Sequence, residues 1–378
     1  MKKTFFFVMA FCLSSIGIFA SGPSDSSTIV KKGKIAGEIA WKYQSNSAIT
    51  SSPVFSDGII YTGCGSSIVA LDTSGKEVFR FKTQGSIKCR AAVDNINLYF
   101  QSGDGWLYCL DKRSGKEVWK TKLDSNNLLQ LYDYWDYYQS SPLLSDNILY
   151  IGSSDSYLYA IDSKTGKELW KFKTMHIVRS SPVVKDGLVY FGSFDGNFYT
   201  VNAKSGELVW KYKIEKPNYS RMGEIQSSAL VYDGKVIFGS RDGILHTLDA
   251  KTGKEIWNYS HEGSWVISTP VLSGSLIVSA SSDAHFVDAL EINTGKESWR
   301  YNTKYNVFSS PIVSDGVVYC GEGNAYSFSE EASFFALDAE TGKEIWKIKT
   351  GGQVWSTPMI AEGRIYFGAM DGYIYSIK

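Results

Sequence analysis

The chain has 378 residues, with 39 Lys+Arg against 39 Asp+Glu, 43% hydrophobic and 15% aromatic residues, and 35 glycines. That length exceeds one minimal core, so either several domains or one large repeating architecture is expected. The balanced charge gives no electrostatic basis for a nucleic-acid partner, and the apolar, aromatic composition excludes a disordered chain.

The chain opens on Lys2 and Lys3, an apolar run from Phe5 to Phe19, and then Ala20, Ser21 and Gly22. This pattern predicts a secretory signal over residues 1–20, cleaved near Ala20, followed by a flexible segment over 21–36. No later apolar stretch approaches the length needed to cross a bilayer. The expected location is therefore periplasmic or extracellular, with no transmembrane segment after cleavage; a retained signal would keep the protein at the membrane. Cys12 is poorly suited to lipid attachment because the bulky Phe11 precedes it. Cys64, Cys89, Cys109 and Cys320 are too sparse for a disulfide framework and lack zinc-ligand spacing, so buried free thiols are expected.

From residue 37 onward one phrase returns about every 40 residues. It runs through a Ser-Ser-Pro-like step, an apolar alternation, Asp-Gly, a second alternation, Thr-Gly-Lys-Glu and an aromatic residue. That aromatic is Trp41, Phe79, Trp119, Trp170, Trp210, Trp257, Trp299 and Trp346. The opening step gives the same eight copies, at Pro53, Ala92, Pro142, Pro182, Ala229, Pro270, Pro311 and Pro358.

Within a unit the apolar period is two, broken by Gly, Asp and Asn, which predicts four short strands, A to D. Eight such units predict an all-β, eight-bladed propeller over residues 37–378. The first strand, "GEIAWKY", is a D with no A to C before it, and the last, "GYIYSIK", is a C with no D after it. Their pairing would complete a blade and remove the open edges. A small residue, a glycine and an indole at fixed separations, as in Ala160, Gly166 and Trp170, mark the seven tryptophans as structural packing residues. The repeated Asp-Gly pairs, such as Asp195-Gly196, read as tight turns, because one Asp per blade is too few for a calcium loop.

The phrases "AIDSKTGKELW" and "ALDAETGKEIW" resemble the pyrroloquinoline-quinone-type propeller repeat, and in an exported single-domain chain the likeness is to the outer-membrane assembly factor BamB and its relatives. That resemblance implies a non-catalytic role in binding envelope proteins. Quinoprotein dehydrogenases share the repeat and imply a quinone, a calcium ion, a catalytic carboxylate and two adjacent cysteines, yet the chain has no Cys-Cys pair.

Alternating strand directions put D-to-A and B-to-C connections on one face. The enlarged connections, Leu123–Tyr138, Ile214–Glu224 and Glu322–Ser333, are all of these kinds. Tyr132, Tyr134, Trp135 and Tyr138 in the first and Tyr219 and Arg221 in the second are candidate partner-binding residues, since Tyr, Trp and Arg are frequent interface anchors. A second variable set lies three residues before each repeat's proline or its equivalent: Thr50, Cys89, Gln139, Arg179, Gln226, Ile267, Phe308 and Trp355. Arg179, Phe308 and Trp355 are its candidate ligand contacts, and Arg90, in place of the first serine of blade 2, offers with Arg179 a place for an anion.

His176, His246, His261 and His285 fall in different units, with His176 and His261 in D-to-A loops near the mouth. They show no metal-like recurrence, and no catalytic set can be assembled. The expectation is a scaffold for an envelope protein or extended peptide, without catalysis, cofactor or metal. Binding of a glycan or small ligand, and a quinone-dependent dehydrogenase, remain the alternatives.

Overall fold

Period-two alternation cut by Asp-Gly and Thr-Gly turns gives 32 strands in eight antiparallel sheets of four. The computed structural model describes residues 35–123, 138–215, 223–326 and 331–378, all within the unit Gly33–Lys378. The expected signal lies outside the described residues, as does most of the segment 21–36. Among the described residues no helix is long and apolar enough to cross a membrane.

Seven sheets run A-B-C-D in chain order. The eighth takes strand D from Ile39–Gln44 and strands C, B and A from Tyr373–Ile377, Arg364–Gly368 and Met359–Ala361. Lys42 pairs with Tyr375 and Gln44 with Tyr373, and the Lys378 N–H donates to the Glu38 carbonyl at 2.9 Å. The two ends of the chain therefore close the ring, as the unpaired strands predict. Closure leaves no A-to-C fragment with an unmatched edge.

Each D-strand aromatic clamps the following blade. The Trp170 indole N–H donates to the Ala203 carbonyl at 3.1 Å, Trp299 does the same to Ala339 at 3.0 Å, and Trp346 to Ile35 at 2.9 Å. The ring lies flat on the glycine of that blade's C-D turn. A Cβ on Gly206 would come within 2.7 Å of Trp170, and Gly206 is held at φ +72°. Phe79 covers Gly115 in the same way but has no N–H to give. The packing role read for these aromatics is thus a blade-to-blade contact around the whole rim.

The Ser-Ser-Pro step does the corresponding work at the centre. The first hydroxyl donates across to the next blade, as from Ser140 to the Ser180 carbonyl at 3.0 Å and from Ser309 to the Ser356 carbonyl at 2.9 Å. The second accepts an N–H from the preceding blade, as Ser181 Oγ does from Ser141 at 2.9 Å. Thr357 N–H to Ser52 Oγ, also 2.9 Å, carries this pattern across the closure. Inner-strand groups that would otherwise be buried and unpaired are satisfied by these hydroxyls.

Blade 2 needs a correction of register. Ala92 pairs with Tyr99 as Leu143, the residue after Pro142, pairs with Tyr150. Ala91, not Ala92, therefore holds the proline position. Arg90 takes the place of the second serine and Cys89 that of the first, and the variable residue of this blade is Lys88. The Arg90 N–H to Ser141 Oγ bond, 3.0 Å, confirms the shift, because it repeats the second-serine bond of other blades.

The Asp-Gly pairs are turns. Asp195 Oδ1 accepts the Asn197 N–H at 2.9 Å, and Gly196 has φ +81°, a backbone state natural to glycine. The second carboxylate oxygen accepts a strand-C hydroxyl, from Tyr199 at 2.8 Å.

Candidate binding face and axial channel

The D-to-A and B-to-C connections meet on one face, where main-chain bonds tie them in pairs. The Phe194 N–H donates to Ile177 O, Ser282 N–H to Trp265 O and Met370 N–H to Gln353 O. The described ends of all three enlarged connections sit in this layer. Tyr132, Tyr134, Trp135, Tyr219 and Arg221 lie outside the described residues. Where described, the face offers Met175 and Tyr326, which are 83% and 68% exposed.

The third enlargement is partly strand and not loop. Strands B and C of blade 7 extend to Gly323 and from Ala332, so that Glu322 pairs with Ser333. The buried Glu322 carboxylate accepts from Ser333 Oγ, Lys347 Nζ and the Lys304 N–H, a brace that holds the longer hairpin.

Tyr138 is the residue that shapes the mouth. Four residues before the proline position the repeat carries a buried aliphatic, such as Ile49, Ile87, Val178, Ile225, Val266 or Val307. In most blades it packs on a strand-B glycine of the preceding blade, where a Cβ would collide with it, as Gly152 would with Val178 at 2.4 Å. Blade 3 has Tyr138 at this position. The preceding blade answers with Gln101 in place of the glycine, and its Nε2 donates to Ser140 O at 2.7 Å. Released from that slot, Tyr138 crosses the axis and donates its hydroxyl to Phe308 O at 2.7 Å, with Trp355 O at 3.2 Å.

There it packs against Ile267, Phe308 and Trp355, whose last two rings are 5.1 Å apart between centroids. Burial pushes the Tyr138 phenol well above its ordinary pKa, so it stays a neutral donor. Of the candidates read from the sequence, Tyr138, Phe308 and Trp355 are thus brought together, as an apolar cap over half of the channel. Phe308 and Trp355 are buried. Arg179 lines the opposite, polar part of the variable set and is 8% exposed, with Nη1 donating to Ser154 Oγ at 2.7 Å.

Beneath the cap lies a cavity of about 90 Å³. All eight blades contribute to its wall, among them Lys88, Arg90, Gln139, Arg179 and Gln226. Among the described residues no Asp or Glu is part of that wall. Among the described residues no group of three or more His, Cys, Asp or Glu could hold a metal ion. A space this small falls below the roughly 300 Å³ at which pockets for drug-sized ligands begin. The described channel therefore does not fit the tricyclic quinone and calcium that quinoprotein dehydrogenases imply. Cys64, Cys89, Cys109 and Cys320 are free and buried, and burial raises each thiol to about 12.

The histidines do not converge on the mouth. His246 stands on strand C of blade 5 with Nε2 3.1 Å from Asp242, in place of a strand-C tyrosine. His176 stacks on Phe194 and accepts the Ile177 N–H at its Nδ1. His261 lies in the D-to-A connection into blade 6, as expected, but does not reach the mouth: it is fully buried beside Asp288 and Ser279 of that blade, at 3.5 and 3.3 Å. Burial raises Asp288 to about 7 and lowers His261 to about 3, so each prefers its neutral form.

Comparison with known proteins bears on this arrangement. The family described as Outer membrane protein assembly factor BamB matches residues 64–283, 241–329 and 286–378. The chain belongs to this family. BamB from Moraxella catarrhalis has a similar structure, with a TM-score of 0.74, 16% identity and coverage of 90% of this chain and 99% of that one. The computationally designed Ika8 protein is also similar, with a TM-score of 0.73 and 18% identity over 91% of this chain and 99% of that one. At such identities these structures share the fold. A curated relative, quinohemoprotein alcohol dehydrogenase ADH IIB from Pseudomonas putida, is 27% identical over 146 residues, 34% of this chain and 20% of that protein. The chain thus spans about a fifth of the length of this relative. A BamB-type propeller fold is the common ground of these likenesses and the geometry above.

Proposed function

We propose that the protein is a non-catalytic, exported scaffold that binds a protein or extended peptide of the cell envelope through the rim of its loop face. The observation carrying this reading is the placement of the described ends of all three enlarged connections on the face where Tyr138 caps the axis. A capped axis leaves the rim as the area for recognition, and variable connections on a rigid ring are where binding groups concentrate. Membership of the BamB family supports the protein-binding class and an extracytoplasmic, outer-membrane-associated setting.

Site-specific photo-crosslinkers at Met175 and Tyr326, with Ile96 of the opposite face as control, test the proposal in native envelope fractions. Ile96 is 65% exposed in an A-B turn, so accessibility is comparable. The expected result is one defined protein adduct from the loop-face positions, lost on Trp135→Ala or Tyr219→Ala. Equal adducts from Ile96, or adducts indifferent to those substitutions, would overturn it.

A further inference from the structure

The residue facing the axis at the second-serine position is Ser or Thr in seven blades and Arg90 in blade 2. The main chain of Arg90 serves the ring like its counterparts, through its N–H to Ser141 Oγ. Its guanidinium does not. Among the described residues no hydrogen bond or ion pair reaches it, although it forms part of the wall of the axial cavity. Arg90 is partly exposed along the channel, and its guanidinium carries five N–H donors in a fixed fork with a lasting charge.

The surroundings specify what would answer it. Among the described residues the wall brings two further bases, Lys88 and Arg179, and no carboxylate. Its remaining polar members are serine and threonine hydroxyls and the amides of Gln139 and Gln226, which can donate to an acceptor. The space of about 90 Å³ exceeds the roughly 10–15 Å³ that one water needs and falls short of a drug-sized ligand. Oxygens of a small anion match a guanidinium fork in charge and in spacing.

We propose that the axial channel is a binding site for one small oxyanion, held by the Arg90 guanidinium and completed by hydroxyl and amide donors of the surrounding blades. Desolvation pulls the pKa of Arg90 below its ordinary value. The inference is independent of the scaffold reading, since it concerns the interior of the ring and not its rim. Tetrahedral phosphate or sulfate and a planar monocarboxylate share the required chemistry.

The test is thermal unfolding and calorimetric titration of the purified full chain with phosphate, sulfate and acetate against chloride, at constant ionic strength. Saturation with at least one oxyanion is expected to raise Tm by about 2–4 °C over chloride, with a stoichiometry near one. The tetrahedral and acetate arms tell the two geometries apart. Arg90→Ser installs the hydroxyl found in most other blades, so the variant should fold, melt no lower than wild type in chloride, and lose the oxyanion response. Arg90→Gln, which keeps more of the side-chain volume, should lose it too. An absent response in wild type, or a response of equal size in both variants, overturns the proposal.

Discussion

The outer and inner rims of this ring are built by one repeat, yet they keep to it very differently. At the outer rim every blade lays an aromatic ring on the next blade's turn glycine, with Phe79 the only change of residue type among the eight. At the inner rim the hydroxyl staples persist, but the residues around them vary from Lys88 and Arg90 to Phe308 and Trp355. Uniformity belongs where one blade must hold another. Variation is tolerated where side chains face a shared cavity, because there no single neighbour dictates volume.

That contrast can be broken most directly at the outer rim. Trp170→Ala removes the ring on Gly206 and the bond to Ala203 O. It should cost about 3–5 kcal/mol in denaturant unfolding. Arg90→Ser at the inner rim should cost nothing comparable, and a Trp170→Ala protein with wild-type stability would remove the distinction between the rims.

Blade 6 sharpens the comparison between a repeated position and its exception. Strand C carries Tyr108, Tyr159, Tyr199 and Tyr375 beside the small residue facing the D-strand aromatic, whereas this blade carries Asp288. The pair Asp288 and His261 is buried, with Tyr259 and Phe286 against the imidazole and the charges of Arg300 and Glu297 also acting on Asp288. The two shifts have opposite signs for stability. Asp288, raised from 3.8 to about 7, stabilises the fold fully below its unfolded value and loses that contribution as pH rises through about 7. His261, lowered from 6.5 to about 3, contributes above its unfolded value and loses that contribution as pH falls toward 3.

Between about pH 4 and 6.5 the two contributions oppose each other. Asp288→Asn should therefore make stability, relative to wild type, fall on acidification, with a slope approaching about 1.4 kcal/mol per pH unit. His261→Gln should reverse the sign, making stability fall as pH rises. Unfolding curves across this window check both, and parallel pH profiles for the two variants would contradict the assignment.

The ring, its closure and the packing role of the tryptophans were legible because each is enforced in nearly every copy. Repetition lets a single residue type, such as the glycine under each indole, be recognised by spacing alone. The channel was less legible, since it is made of departures from the repeat. Reading Ala92 as the proline equivalent shifted blade 2 by one residue and hid Lys88 and the true position of Arg90. The buried aliphatic four residues earlier, Ile87 in blade 2, is the signal that sets the register. The same position exposes Tyr138 as an exception, and Gln101, where other strands B have glycine, is its complement. His261 does lie in the loop that follows the strand ending at Ser260, but its ring turns into the fold and not to the mouth. It is buried beside Asp288, which is twenty-seven residues away in sequence, on strand C of blade 6.

The cap offers the smallest but most local test of the two rims. If Tyr138 is held mainly by its ring among Ile267, Phe308 and Trp355, then Tyr138→Phe leaves the cap in place and removes only the hydroxyl shared by Phe308 O and Trp355 O. The expected loss is about 1–2 kcal/mol, the cost of leaving buried acceptors unanswered. Tyr138→Ala should cost more, because it also empties the space over the axis, and Gln101 denies the fold its usual retreat into the glycine slot. Amide exchange localises the effect. Faster exchange at the inner strands of blades 7 and 8, with the outer rim unchanged, is the expected pattern. Equal loosening at the Trp119 and Trp170 contacts would mean that the two rims open together and that the cap belongs to the same cooperative unit as the clamps.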